Sequence, residues 1–221
     1  MAAIDNLDAI SERIRESFDT KNQARDQALA RSRILIRYCA KSIRAIHREE
    51  FDTALELMGT ARDAADELRD GVKGFPDLYF TGYTQDALKE FVEANATYAL
   101  IRGMPLPEPE ELNVEYNTYL KGLAEAIGEL RRHTVDRIRL GQIDEGNRLL
   151  GIMDEVYDIL VTMDYPDAIT AGLRRITDMV RGVTERTRGD LTVATRQEKL
   201  ESALRQFEAR IDATNAGDAE K

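Results

Sequence analysis

Apolar residues recur along this chain at intervals of three and four, the signature of helices that bury one face. Between residues 31 and 48, Leu35, Cys39 and Ile46 fall on one side, with Ile36, Ile43 and the tolerant Ala40 closing it; further on, Leu120, Leu123, Ile127 and Leu130 form a similar stripe. Alternating Val, Thr and aromatic runs, which strands need, are missing. The pattern predicts an all-α protein. Turn and cap chemistry places helices over about 5–18, 21–48, 51–70, 84–101, 113–140, 144–163, 166–188 and 191–211. Gly71, Gly74, Gly103 and Gly141 mark stops, and Pro166 suits a first helical turn. Three of the five prolines, Pro105, Pro107 and Pro109, crowd one segment, which reads as a rigid linker. One helical bundle of about seven helices is the simplest assembly, with an N-terminal helix or arm over 1–18, a helical domain over 19–211 and a frayed tail over 212–221.

Composition narrows the class. With 221 residues, 43% of them hydrophobic and 33% charged, the chain can bury a core and is neither a disordered polymer nor a membrane protein. An acidic residue at position 5 interrupts any export leader, so a cytoplasmic location is expected. A single cysteine, Cys39, excludes an intrachain disulfide and agrees with a reducing compartment; it sits on an apolar face and reads as core. The net charge of −10 argues at first against a polyanionic partner. That total is uneven, however. Residues 21–48 hold eight basic residues against one acidic, a local net of +7, which leaves −17 for the remainder.

Within that basic segment Arg33, Arg37, Lys41, Arg44 and Arg48 are spaced by four, four, three and four and line one helix face. Two readings stand: a solvated face paired with acids on neighbouring helices or subunits, or a track for phosphates. Glu90 and Glu93 project from one face a turn apart, and Glu125 and Glu129 form a second pair beyond the linker. Four carboxylates without a nearby histidine or cysteine suit Mg²⁺ or Mn²⁺, which can activate water and neutralise charge on phosphoryl groups. Spacing alone favours a solvated polar face and leaves a magnesium site as the alternative. Small residues at Gly122, Ala126 and Gly128 are compatible with close helix approach there. His47 and His133 lack an identifiable catalytic partner and read as structural, and Tyr79 and Phe80 read as interior packing with base stacking as the alternative. There is no Gly-rich phosphate loop, nucleophile elbow or His-Glu-x-x-His motif.

Taken in order, Ala87-Leu88 before Glu90-Phe-Val-Glu93-Ala, then Tyr119-Leu-Lys-Gly122-Leu-Ala-Glu125-Ala-Ile-Gly128-Glu129-Leu, then Gly141-Gln-Ile-Asp144, resemble the translin/Trax family, and Trax in particular. The basic helix ending in Ile-His-Arg is similar too, and the likeness runs over about 19–189. The resemblance implies a seven-helix fold that assembles into a hollow octameric barrel binding RNA or single-stranded DNA. It also implies a Mg²⁺-dependent endoribonuclease whose acidic residues line the inside of the shell. Carried over residue by residue, Glu90, Glu93 and Glu125 would hold the metal and Glu129 would assist. Glu125 stands where the animal Trax pattern has Asp, one methylene longer. Translin lacks this acidic set, and the compact chain resembles prokaryotic or archaeal members, for which a homo-oligomer is implied. The stripe from Arg33 to Arg48, with Arg131 and Arg132 as additions, would hold single-stranded RNA. The alternatives are a catalytically silent, translin-like nucleic-acid-binding oligomer and a plain helical scaffold.

Overall fold

The computed structural model describes the backbone of residues 6–218 and the side chains of residues 6–211. Among the described residues the chain is helical with no strand: α1 (Leu7–His47), α2 (Phe51–Val72), α3 (Pro76–Tyr79), α4 (Gly82–Arg102), α5 (Pro109–Leu112), α6 (Tyr116–Arg139), α7 (Ile143–Thr162), α8 (Asp167–Thr170) and α9 (Leu173–Asp218). Six are long and three are single turns. None of the helices is long and apolar enough to cross a membrane.

Two expected breaks are filled in. The helices expected over 5–18 and 21–48 are one 41-residue helix, α1. Thr20, which could have capped a new helix, instead donates its hydroxyl to the Glu16 carbonyl at 2.8 Å and so is satisfied inside the turn. Likewise the expected break near Gly189 is spanned by α9, where the Thr187 and Thr192 hydroxyls donate to the carbonyls four residues back. The break comes earlier instead. Pro166 caps the single turn α8, and Ala171 and Gly172, at φ 50° and 86°, turn the chain before α9 begins. Gly103 at φ 64° ends α4 as expected, whereas Asn113 is not the start of a helix but the left-handed cap of α5. Where fraying is expected from 212 on, the backbone of α9 stays helical to Asp218. The expected first-helix start at Asp5, and residues 219–221, lie outside the described residues.

Tertiary contacts gather the helices into two compact units. One comprises the chain up to Ala126 together with Tyr165–Leu173; the other comprises Ile127–Asp164 and the chain from Arg174 onward. In the first unit α1 packs on α2 and α4, and α2 and α3 also meet α4. Leu35, Cys39 and Ile43 of α1 join Ala61, Ala65 and Leu68 of α2 and Leu88, Phe91 and Val92 of α4 in one core. Ile36, expected to close the apolar side of α1, is 36% exposed, because at 3.6 residues per turn it lies just past the stripe that faces α2 and α4. The proline segment is tied down rather than loose: Arg62 and Arg69 of α2 donate to the carbonyls of Glu111 and Leu112, at 3.0 and 3.3 Å. Glu108 and Glu111 form a reciprocal capping box around α5. In the second unit Ile143 and Leu150 of α7 pack with Leu191 of α9. Gly146 permits this, since a Cβ there would lie 2.7 Å from a Leu191 methyl.

Phe91 is 1% exposed at the centre of the first core, one residue from a candidate site glutamate. Phe91→Ala removes a ring that its neighbours cannot replace, and large-to-small changes of this kind cost about 3–5 kcal/mol. Urea denaturation at fixed protein concentration should show a midpoint lowered accordingly, with unchanged helical content before the transition.

Candidate metal centre and nucleic-acid interface

Helix α4 is buried almost all round from Phe91 to Ile101, which is unusual for a helix that carries two glutamates. Glu93 lies within that stretch and is itself only 9% exposed. The Glu90 side chain, one turn earlier, is 29% exposed. Glu125 comes from α6, and its side chain is 28% exposed. These three glutamates converge: one carboxylate oxygen from each lies within 4.8 Å of the others. The convergence depends on how closely α6 approaches α4. A Cβ on Gly122 would stand 2.6 Å from Val92 Cβ and 2.7 Å from the Lys89 carbonyl oxygen, so glycine is required for the two helices to touch. Among the described residues Gly128 has no such neighbour.

Because the Gly122 contact is with backbone and a β-carbon, neither of which can swing aside, Gly122→Ala must push α4 and α6 apart. Overpacking of this kind costs about 1–3 kcal/mol. A lowered thermal midpoint should be accompanied by loss of divalent-ion binding, measured by calorimetry, since Glu125 moves with α6 while Glu90 and Glu93 move with α4.

Three carboxylates so close would repel one another. Two unit charges 4.8 Å apart cost about 3 kcal/mol at an effective dielectric constant of about 20. Lys89 answers part of this, with its ammonium 2.7 Å from the Glu125 carboxylate and 3.7 Å from Glu90 Oε1. Burial pulls the Lys89 ammonium pKa down, but the hydrogen bond and charge of Glu125, with the charges of Glu90 and Asp86, more than reverse this and leave it above its ordinary value. Burial lifts the Glu90 carboxyl above the ordinary carboxylate range against the pull of Lys89, and Glu125 and Asp86 add to the lift. Burial also pushes the Cys39 thiol far up, with the charges of Glu90 and Glu93 acting in the same direction. Cys39 is thus an inert core residue beside the acidic group, as its sequence position suggested.

Glu129, the fourth expected acid, is not among the three that converge. It belongs to the second unit, where Arg132 Nη1 lies 3.8 Å from its carboxylate. Arg131 is likewise engaged within that unit, 2.9 Å from Asp190 and donating to the Thr187 hydroxyl at 3.1 Å. The two arginines offered as additions to the basic track are therefore held by their own neighbours. His133 is 3% exposed and buried on α6. Tyr79 packs against the first core, while Phe80 is 63% exposed and sits edge-on to Tyr79 at 4.9 Å between ring centroids. Interior packing thus holds for Tyr79 and not for Phe80. Lys89 is the residue that sequence reading passed over. It lies inside the quoted motif, but periodicity treats it as a spacer between Leu88 and Glu90.

Arg33, Arg37, Lys41 and Arg44 of α1, and Arg48 just past its C-terminal end, are all exposed. Among the described residues none of them is in an ion pair within the chain; Arg37 and Lys41 instead flank the Tyr38 ring, each 5.5 Å from its centroid. The basic residues outside the stripe behave differently. Lys21 is paired with Asp77, Arg25 lies 3.1 Å from Asp26, and Arg31 lies against Gly71. Among the described residues, then, the stripe is not paired with acids on neighbouring helices of the same chain.

An all-helical chain with three glutamates converging from two helices, beside a helix bearing an unpaired basic stripe, finds clear relatives. No family model matches the chain. An uncharacterised protein, MJ0175, of Methanocaldococcus jannaschii is 30% identical over 191 residues, covering 85% of this chain and 84% of that protein. Among solved structures, AfC3PO in a complex with duplex RNA is 29% identical with a TM-score of 0.78, covering 84% of this chain and 96% of that one. AfC3PO alone gives the same identity and TM-score over 84% and 97%. Apo-NeC3PO, at 22% identity, shares the fold with a TM-score of 0.77, covering 88% of this chain and all of that one. The chain belongs to the translin/Trax family.

Proposed function

We propose that this protein is the Trax-like, catalytic type within its family: an endoribonuclease that hydrolyses RNA with a divalent metal inside a hollow homo-oligomer, an octamer by resemblance. The observation that carries this reading is the convergence of Glu90, Glu93 and Glu125 to within 4.8 Å. The donor set is all oxygen, with no histidine or cysteine in the group, which fits Mg²⁺ or Mn²⁺ and disfavours zinc or copper. The crowded negative charge of the three carboxylates, which adds to the lift that burial gives Glu90, is what a divalent cation would relieve. When bound, such an ion supplies an activated water and neutralises charge on a phosphodiester.

The chain's own residues do the rest. Glu90, Glu93 and Glu125 hold the ion, and the buried seat of Glu93 fixes its carboxylate direction. For Glu129 the assisting role is the one the family resemblance implies, and its carboxylate is held by Arg132 Nη1 at 3.8 Å. Glu125, one methylene longer than the Asp of the animal pattern, still brings a carboxylate oxygen within 4.8 Å of those of Glu90 and Glu93. The five exposed cations of the stripe, four on α1 and Arg48 at its end, neutralise the RNA backbone and set its position. A flexible single strand suits such a sequence-blind track, and single-stranded DNA would be held but not cut by a site that acts on RNA.

A second reading has an observation of its own. The Lys89 ammonium already offsets part of the acidic charge, which would suit a translin-like oligomer that binds nucleic acid and leaves it intact. Incubating the protein with labelled single-stranded RNA, duplex RNA and single-stranded DNA in Mg²⁺, and scoring retention and cleavage separately, distinguishes the two. The proposal expects retention and cleavage of single-stranded RNA; duplex RNA enters the test because AfC3PO has been solved with it. Retention of every ligand with no new products would establish the silent oligomer. The particle size is measured alongside by light scattering.

A further inference from the structure

We infer that Lys89 is the site's built-in counter-cation, an ammonium that occupies the charge position among Glu90 and Glu125 until a divalent ion takes it, and so sets how much metal the protein needs. The inference rests on the reading of Glu90, Glu93 and Glu125 as a metal centre. It starts from geometry. Lys89 Nζ lies 2.7 Å from the Glu125 carboxylate and 3.7 Å from Glu90 Oε1, so it contacts two of the three convergent acids, one on each helix. No ordinary surface ion pair explains that placement, since the Lys89 side chain is only 15% exposed. Its backbone is fixed as well. The Lys89 carbonyl is at the tight crossing with Gly122, so the residue cannot slide along the helix pair, and only its flexible four-carbon stem can move the ammonium.

The consequence is competition. A divalent ion bound by the same oxygens would stand within a few ångströms of a positive charge unless Lys89 swings away. Lys89 must therefore give up its hydrogen bond to Glu125 when metal binds, and the free energy of that bond is subtracted from metal affinity. In the metal-free protein the same bond relieves the repulsion among the acids. One residue thus stabilises the empty centre and raises the metal concentration at which it fills.

The test uses full-length wild type, Lys89→Gln, Lys89→Arg and, as a control on the centre itself, Glu125→Gln. Mn²⁺ binding is followed by calorimetry and by the loss of the free-ion magnetic resonance signal, neither of which depends on cleavage. Thermal midpoints are taken in EDTA and in Mn²⁺. Lys89→Gln should bind Mn²⁺ about tenfold tighter or more, as expected for removing a nearby positive charge. It should also melt earlier than wild type in EDTA and gain more on adding Mn²⁺. Lys89→Arg, which keeps the charge, should bind no tighter than wild type. If Glu125→Gln loses Mn²⁺ but Lys89→Gln binds it as wild type does or more weakly, the metal centre stands and the counter-cation role is overturned. If neither wild type nor Lys89→Gln binds Mn²⁺, the metal centre is overturned and this inference with it.

Discussion

Glu93→Gln is expected to abolish RNA cleavage, lowering the single-turnover rate at least about a thousandfold while leaving RNA binding unchanged. The size follows from what is removed. A carboxylate ligand differs from its amide by a full charge, and losing even one oriented dipole from an active site commonly costs about a hundred- to a thousandfold. Glu93 is the sharpest choice of the three because it is 9% exposed, so water cannot easily take its place. The amide is nearly isosteric, and it does not carry the charge that repels Glu90 and Glu125, so the variant should fold and melt no earlier than wild type in EDTA. That pairing of lost chemistry with retained stability separates a functional carboxylate from a structural one. Retention is read on the same RNA by filter binding. A Glu93→Gln protein that cuts at more than about a tenth of the wild-type rate would mean that the convergence is incidental.

The second large effect belongs to α1. The double variant Arg37→Glu and Arg44→Glu should lose RNA binding, with affinity down at least about a hundredfold at low salt, because two phosphate contacts are replaced by two repulsions. Both side chains are exposed and, among the described residues, neither is in an ion pair within the chain, so reversing them gives up only the exposed contact of Arg37 with the Tyr38 ring. The core face of the same helix, Leu35, Cys39 and Ile46, is untouched. The milder pair Arg37→Gln and Arg44→Gln gives the diagnostic number. Removing two contacts should flatten the slope of log K against log salt concentration by about 1.4, at roughly 0.7 for each single-strand phosphate. A stripe that instead joined subunits by ion pairs would give a particle that falls apart in these variants, seen by light scattering, with no change in the salt slope of the remaining binding.

Much of this was legible in the sequence, and the parts that were not have definite causes. The all-helical class, the apolar stripe of Leu35, Cys39 and Ile46 and the stop at Gly103 follow from periodicity and from the freedom of glycine to adopt positive φ, and each is found. Helix continuity is misread at Thr20 and Gly189 because Thr and Gly only lower helix propensity and do not forbid a helix; at Thr20 the hydroxyl is satisfied inside the turn by the Glu16 carbonyl. The site acids Glu90, Glu93 and Glu125 were singled out by spacing and by the family resemblance, and their convergence is a property of the α4–α6 crossing that no spacing encodes. Its signal was present in Gly122, flagged as a small residue without a stated partner. Lys89 was missed for the same reason. A lysine between two apolar-face positions reads as solvent-facing until the neighbouring helix brings Glu125 to it. The whole-chain charge of −10 was the least informative quantity of all, since five exposed cations in one stripe along α1 and its C-cap coexist with a cluster of acids in the unit they share.

The central claim is that Glu90, Glu93 and Glu125 cut RNA by holding a divalent metal, and the measurement closest to it is a chelation and restoration assay on one protein sample. Wild type at saturating concentration over labelled single-stranded RNA is followed in Mg²⁺, then after EDTA, then after Mg²⁺ is returned in excess, with a Glu90→Ala and Glu125→Ala double variant run beside it. The account predicts internal cleavage products that stop accumulating with EDTA, resume on restoration, and never form with the double variant. Cleavage that continues in EDTA, or that the double variant performs at the wild-type rate, would contradict it.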